Sequence, residues 1–321
     1  MESIKAIARI LLEAPYVGIL SHDLPDGDCL GSSLALALAL RARGARVVVI
    51  NADPVPEAFR FLPGQDTIVS GKEIESPPPI LVVLDSADLQ RPGEGMEHLL
   101  ASARIIINID HHVSNTRFGH LNLVDVQASA TAQLVYRLLK EMGLPISGEI
   151  ATCLYTGLVT DTGSFQYENT TPEALRLAAE LMELGADVAT IREYLWERKP
   201  LASLKLLSLV LPTLNLAYGG EVAWMVVSQE SLEKAGAGPE HVEGLVNYPR
   251  SLAGVEVAFL FRELSPRMVK VSLRSKKRVD VNRIASLFGG GGHRRAAGCV
   301  VEGSLEEVIP RVVAAAGEAL R

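Results

Sequence analysis

Histidine and aspartate recur in four short clusters along the chain, spaced as metal ligands would be. The first, Ser21-His22-Asp23-Leu24-Pro25-Asp26-Gly27-Asp28, carries His22, Asp26 and Asp28 on a segment that Pro25 and Gly27 bend into a tight turn. Asp85 follows an apolar run, Asp110-His111-His112 ends another, and Asp161 closes Gly157-Leu158-Val159-Thr160. Carboxylate and imidazole donors without thiolates suit Mn²⁺ or Mg²⁺ better than structural Zn²⁺. At least six such groups are more than one ion with open positions can use. Two ions about 3.5–4 Å apart, bridged by a carboxylate, are the economical reading. Such a pair acidifies a bridging water and neutralises phosphoryl oxygens during in-line attack. Any one of these Asp residues alone would read as a cap or turn, and any one His as a hydrogen-bonded core group. Four separate clusters at the ends of elements point instead to a metal centre.

A second constellation is Phe288-Gly289-Gly290-Gly291-Gly292-His293-Arg294-Arg295-Ala296-Ala297-Gly298. Consecutive glycines permit positive φ and let backbone N–H groups approach an anion. His293, Arg294 and Arg295 add charged donors, and Arg274 ends a nearby apolar run. The spacing is neither that of a Rossmann dinucleotide loop nor that of a Walker loop. From Arg262 to Arg295 there are ten Lys and Arg against Glu263 and Asp280, in a chain whose net charge is −7. An acidic body with one basic segment suits local capture of a polyanion and argues against general DNA binding.

These residues need a frame. The chain has 321 residues, 48% apolar and 21% charged, enough for about two domains and too apolar for a disordered protein. Val17–Leu20, Val47–Ile50, Ile80–Leu84 and Ile105–Ile109 read as strands apolar on both faces, the mark of a parallel sheet covered by helices. Helices are expected over Leu30–Arg43, Ala130–Met142, Gly148–Val159 and Pro172–Leu184, the last with Thr171 as N-cap. The alternation implies an α/β doubly wound sheet whose ligands gather beyond the carboxyl ends of the strands. The expected organisation is residues 1–186, a helical connector over 187–215 broken by Pro200, and a smaller α/β domain over 216–321. Its strands would be Val222–Val227, Val255–Phe261, Val269–Leu273 and Cys299–Val301. Its helices would be Glu230–Ala235, Val281–Leu287 and Leu305–Ala319.

The first twenty residues read as an amphipathic helix and a strand, not a signal peptide, and no apolar run spans a bilayer. Three cysteines without a CxxC pair indicate a reducing compartment. These features predict a soluble cytoplasmic protein with no membrane partner. His98, His120 and His241 read as surface groups, Asp88 and Asp125 as turn or cap residues. Trp196 and Trp224 read as core, and Cys153 as an inert buried thiol.

In order and spacing, HDLPDGDCLGS, VVLDSAD, NIDHHVSN, LVTDTGSF and FGGGGHRRAAG resemble a DHH-superfamily phosphoesterase with a DHH-associated C-terminal domain, over essentially the whole chain. RSKKRVDVNRIASLFGGGGHRRAAG is most similar to the bacterial nanoRNase/pAp-phosphatase type. The resemblance implies a doubly wound catalytic domain, a substrate-binding domain, and an active site in the cleft between them. It implies a Mn²⁺-dependent enzyme that trims short oligoribonucleotides and dinucleotides to mononucleotides and dephosphorylates 3′-phosphoadenosine 5′-phosphate (pAp).

Carried onto this chain, the family pattern gives one Mn²⁺ to His22, Asp26 and Asp85. It gives the other to Asp28, Asp85, His111 and Asp161, with Asp85 bridging and catalytic. His112 would face the scissile phosphate as a catalytic group, and Asp110 would orient the histidines. Asn115 would contact phosphate or sugar. Arg274, Gly289, Gly290, Gly291, Gly292 and His293 would grip the terminal phosphate or nucleotide. Cys29 departs from the pattern, standing where a small residue such as Ala is usual, and would add oxidation sensitivity in an open site. The resemblance excludes long duplex nucleic acid as substrate and is compatible with a homodimer. The competing readings are hydrolysis of linear dinucleotides left by cyclic dinucleotide signals, and a non-catalytic nucleotide-binding regulator. The complete ligand set argues against the second.

Overall fold

A computed structural model describes residues 2–242, 244–292 and 294–321. The chain divides into two compact units, Met1–Arg198 and Lys199–Arg321.

In the first unit, α1 (Glu2–Glu13) leads into β1 (Tyr16–Leu20), α2 (Gly27–Ala42), β2 (Arg46–Asn51), β3 (Ile68–Ser70) and β4 (Ile80–Leu84). Then come α3 (Glu97–Ser102), β5 (Ile105–Asp110), β6 (Leu121–Val124), α4 (Thr131–Glu141), α5 (Gly148–Asp161), α6 (Pro172–Glu183) and α7 (Val188–Arg192). All strand pairs are parallel, in the order β3-β2-β1-β4-β5-β6. The four strands expected from their apolar runs form the middle of this sheet. Val17, Ile19, Val82, Leu84, Ile107 and Ile109 point into one core. Leu20, Leu81, Val83 and Ile106 point into a second core, with Met96 and Leu99. Period-two alternation with both faces apolar thus yields two cores and a doubly wound sheet.

Chain order reverses between β1 and β4, which opens a crevice at their carboxyl ends. Helices α2 and α5 meet closely beside it. A Cβ on Gly31 would lie 2.3 Å from the Cys153 carbonyl oxygen, and one on Gly157 would lie 2.8 Å from Asp28 Oδ1.

The expected helical stretch after Asp187 is interrupted. After α7 comes one π-helical turn, Glu193–Glu197, and Pro200 then caps α8 (Leu201–Val210), which lies in the second unit. Trp196, expected in the core, is instead 42% exposed, because the π turn takes it out of the α-helical register.

The second unit continues with β7 (Asn215–Ala217), β8 (Val222–Val227), α9 (Gln229–Ala235), α10 (Asn247–Ser251), β9 (Val257–Ser265) and β10 (Met268–Ser275). It ends with α11 (Val281–Ser286), β11 (Gly291–Gly292), β12 (Ala296–Glu302) and α12 (Leu305–Ala319). Its sheet has the order β11-β12-β10-β9-β8-β7, with β8 and β9 parallel and the other pairs antiparallel. Phe259, Phe261, Val271 and Val312 anchor its core, against which Trp224 packs as expected. Among the described residues, no helix is long and apolar enough to cross a membrane.

Candidate metal centre

The four His/Asp clusters meet beyond the carboxyl ends of β1, β4 and β5. His22 follows β1, and its Nε2 lies 3.7 Å from Asp26 Oδ1 and 3.5 Å from Asp85 Oδ2. Asp26 caps α2, accepting from the N–H groups of Asp28 and Cys29. His111 follows β5, and its Nε2 lies 3.6 Å from Asp85 Oδ1, 3.6 Å from Asp161 Oδ2 and 4.0 Å from Asp28 Oδ2. Asp85 therefore stands between two groups of donors, one built on His22 and one on His111.

Each histidine is aimed by its other nitrogen. His22 Nδ1 lies 2.5 Å from the Asp23 carbonyl oxygen, and His111 Nδ1 lies 3.3 Å from that of Ala128. A carbonyl only accepts, so both Nδ1 atoms carry the proton, which directs Nε2 of each ring at the carboxylates as a possible metal donor.

Without a cation the site is electrostatically unrelieved. Burial and the neighbouring Asp85 and Asp161 raise Asp28 well above the usual carboxylate range. Asp161 is pushed up to about 7, by burial against the opposing pull of His111, and then by Asp85. Burial also works against charge on His22 and His111, yet the carboxylates win. His111 rises to about 9, and His22 rises further under Asp26 and Asp85. Asp85 is held low, because its contacts with His22, His112 and His111 outweigh its burial. Oxygen and imidazole donors, crowded carboxylates and Nε2-directed histidines fit hard divalent cations.

His112 is placed differently. Its Nδ1 lies 2.6 Å from Asp110 Oδ1, and despite burial this partner raises its affinity for a proton. Asn115 Nδ2 donates to Asp110 Oδ2 at 2.6 Å and to Asn108 Oδ1 at 2.9 Å, and its Oδ1 accepts from the Arg117 N–H. The Asn115 amide therefore contacts the protein at both ends.

Several residues that sequence reasoning missed complete the site. Thr131 Oγ1 donates to Asp85 Oδ1 at 2.9 Å, and the N–H groups of Thr131 and Ala132 donate to Asp28 at 2.6 and 2.9 Å. Asn169 Nδ2 donates to Asp161 Oδ2. These partners lie up to 104 residues away in sequence, so no local pattern could reveal them. Cys29 Sγ lies within 4.8 Å of donor atoms of His22 and Asp26, but the residue is fully buried and its thiol is pushed up to about 11 by that burial. Ready oxidation of Cys29 is not expected in that setting.

Arg274 lies on β10, opposite Ala296 of β12, and its Nη1 donates to the Leu273 carbonyl. The glycine run does two jobs. The N–H groups of Gly289 and Gly290 end α11 on the carbonyls of Ser286 and Ala285, while Gly291 and Gly292 form the edge strand β11. A Cβ on Gly290 would lie 2.2 Å from the Gly298 carbonyl oxygen. His293 lies outside the described residues. Asp88 and Asp125 serve as turn residues, and His120 Nδ1 accepts from the Ile106 N–H.

Residues 16–158 match the N-terminal domain of the DHH family, and residues 220–321 match the DHHA1 domain. The chain is also 40% identical, over 99% of its own length and 95% of the relative's, to the bifunctional oligoribonuclease and PAP phosphatase NrnA of Thermus thermophilus. This chain is a member of the DHH family of phosphoesterases. The DHH likeness extends to solved structures. An exopolyphosphatase-related protein from Bacteroides fragilis superposes with a TM-score of 0.92 at 31% identity, covering 99% of this chain and 95% of that one. RecJ of Thermus thermophilus, solved in complex with Mn²⁺, shares the fold at a TM-score of 0.56 and 16% identity, covering 98% of this chain and 54% of that one.

Proposed function

We propose that this enzyme hydrolyses short oligoribonucleotides, including dinucleotides, to mononucleotides, and converts pAp to AMP. The observation that supports the chemistry best is the convergence of five carboxylate and imidazole groups, His22, Asp26, Asp28, His111 and Asp161, around Asp85. The substrate class rests on the full-length relative named for both activities.

In this reading His22, Asp26 and Asp85 hold one Mn²⁺, and Asp28, Asp85, His111 and Asp161 hold the other; Mg²⁺ is the alternative ion. Bound there, the cations would supply an activated water and neutralise phosphoryl charge. The protein's own residues do the rest. Thr131 fixes one Asp85 oxygen, so the shared carboxylate keeps its orientation. Asp110 holds His112 by Nδ1, and His112 delivers a proton to the leaving oxygen from Nε2. Asn115 acts through Asp110 as a positioning residue, since its amide already bridges Asp110 and Asn108. Arg274, Gly289, Gly290, Gly291, Gly292 and His293 bind the terminal phosphate or nucleotide. Three free cysteines, all buried, fit work in a reducing compartment such as the cytoplasm.

The test is turnover with Mn²⁺ of a 5′-phosphorylated RNA dinucleotide and, separately, of pAp, with Asp85→Ala alongside. Both substrates should be hydrolysed, and the variant should lose at least about a hundredfold, because even a group one step removed from a metal costs 10–100-fold. Hydrolysis of the dinucleotide alone would narrow the function to dinucleotide clearance. Silence on both would overturn the assignment.

A further inference from the structure

The second unit contains a cavity of about 610 Å³ lined by Arg278, Val279, Asp280, Arg283, Arg294 and Ala319. Three guanidinium groups border it, against one carboxylate. That carboxylate, Asp280, accepts from the N–H groups of Asn282 and Arg283 through Oδ1, while its Oδ2 lies 3.8 Å from Arg283 Nε in an exposed pair. Arg278 pairs with Glu221 at the surface, a contact that is cheap to exchange for another anion.

The arginines stand on a braced backbone. Glu256, only 6% exposed, accepts from the N–H groups of Lys277, Arg278 and Val279 at 3.0, 2.6 and 2.9 Å. Three donors on one carboxylate fix the turn that presents Arg278. The Val279 carbonyl receives Arg295 Nη1 at 2.9 Å, and the Arg294 carbonyl receives the Val281 N–H at 2.9 Å. The two segments carrying Arg278 and Arg294 are thus tied together.

The lining also limits what can bind. Among the described residues, Val279 and Ala319 are its only apolar members, and none offers an aromatic face for a base to stack on. Such a surface recognises phosphate charge and not base identity.

We propose that this cavity is a backbone subsite that holds a phosphate of an oligoribonucleotide other than the one being hydrolysed. The identity of the strand rests on the function proposed above; the anion site does not. Arg278, Arg283 and Arg294 would then favour oligomers over dinucleotides and leave pAp unaffected.

The experiment measures binding of labelled hexaribonucleotide and diribonucleotide in EDTA, where turnover is prevented, to the wild type and to an Arg278→Ala/Arg283→Ala variant. Both side chains are exposed, so the variant keeps the fold. The wild type should bind the hexamer about tenfold more tightly than the dimer, and the variant should bind both alike. The slope of log Kd against log salt for the hexamer should become shallower by about 0.7 for each phosphate the variant no longer neutralises. Unchanged hexamer affinity and slope in the variant would overturn the proposal. So would equal binding of both lengths by the wild type, or displacement of the hexamer by an equal concentration of inorganic phosphate. Length-dependent binding that disappears in the variant, in a wild type that hydrolyses neither RNA with Mn²⁺, would sink the function and leave the subsite standing.

Discussion

Asp85 is held at φ 54°, left-handed for a residue with a Cβ. Aspartate tolerates that region better than most residues, yet it still costs about 1 kcal/mol. The gain is direction: from this turn Asp85 Oδ2 faces His22 while Oδ1 faces His111 and Thr131. The groups that gather around Asp85 were legible in the sequence because carboxylate and imidazole types do not depend on context. Their supports were not, since Thr131 and Asn169 become partners only through the fold. The protonation of the metal-free site has a measurable consequence. Asp161 sits at about 7 and His111 at about 9, and both must lose their protons to bind a cation. Mn²⁺ binding should therefore release protons at neutral pH, and apparent affinity should rise as pH increases from about 7 to about 9. Calorimetry in buffers of different ionisation enthalpy reads this directly. Heats independent of buffer would contradict it.

Helix packing turns ligand identity into geometry. Asp28 reaches from the first turn of α2 to the first N–H groups of α4, so one carboxylate both faces the metal centre and caps a distant helix. Gly31 permits this by letting α2 sink onto α5, the helix that ends in Asp161. Gly31→Ala would drive a Cβ into the Cys153 carbonyl and force α2 and α5 apart. It should cost about 2–3 kcal/mol in urea unfolding, as overpacked core sites do, and weaken Mn²⁺ binding in parallel. Loss of stability with metal affinity intact would show that Asp28 and Asp161 do not depend on that contact. Apolar runs revealed the inner strands because those strands are buried on both faces. The outer strands β3 and β6 were not legible: they have three and four residues and are only half-buried. Strand β11, two glycines long, carries no strand propensity at all.

Across the whole molecule, charge and chemistry are divided between units. The first unit gathers the four His/Asp clusters. The second holds the basic stretch from Arg262 to Arg295 within a chain of net charge −7. Charge counting along the chain is enough to expose that division. The brace beneath it, Glu256 against three backbone N–H groups, leaves no trace in the charge pattern. The ligands of the proposed centre run from His22 to Asp161, so only the folded first unit can bring two cations together on Asp85. Titration of the metal-free protein with Mn²⁺, followed by electron paramagnetic resonance, tests that claim most directly. The account predicts two bound ions per chain, magnetically coupled through a shared ligand, with the coupling abolished and at most one ion retained in Asp85→Ala. Two uncoupled ions, or a stoichiometry unaffected by the loss of Asp85, would contradict it.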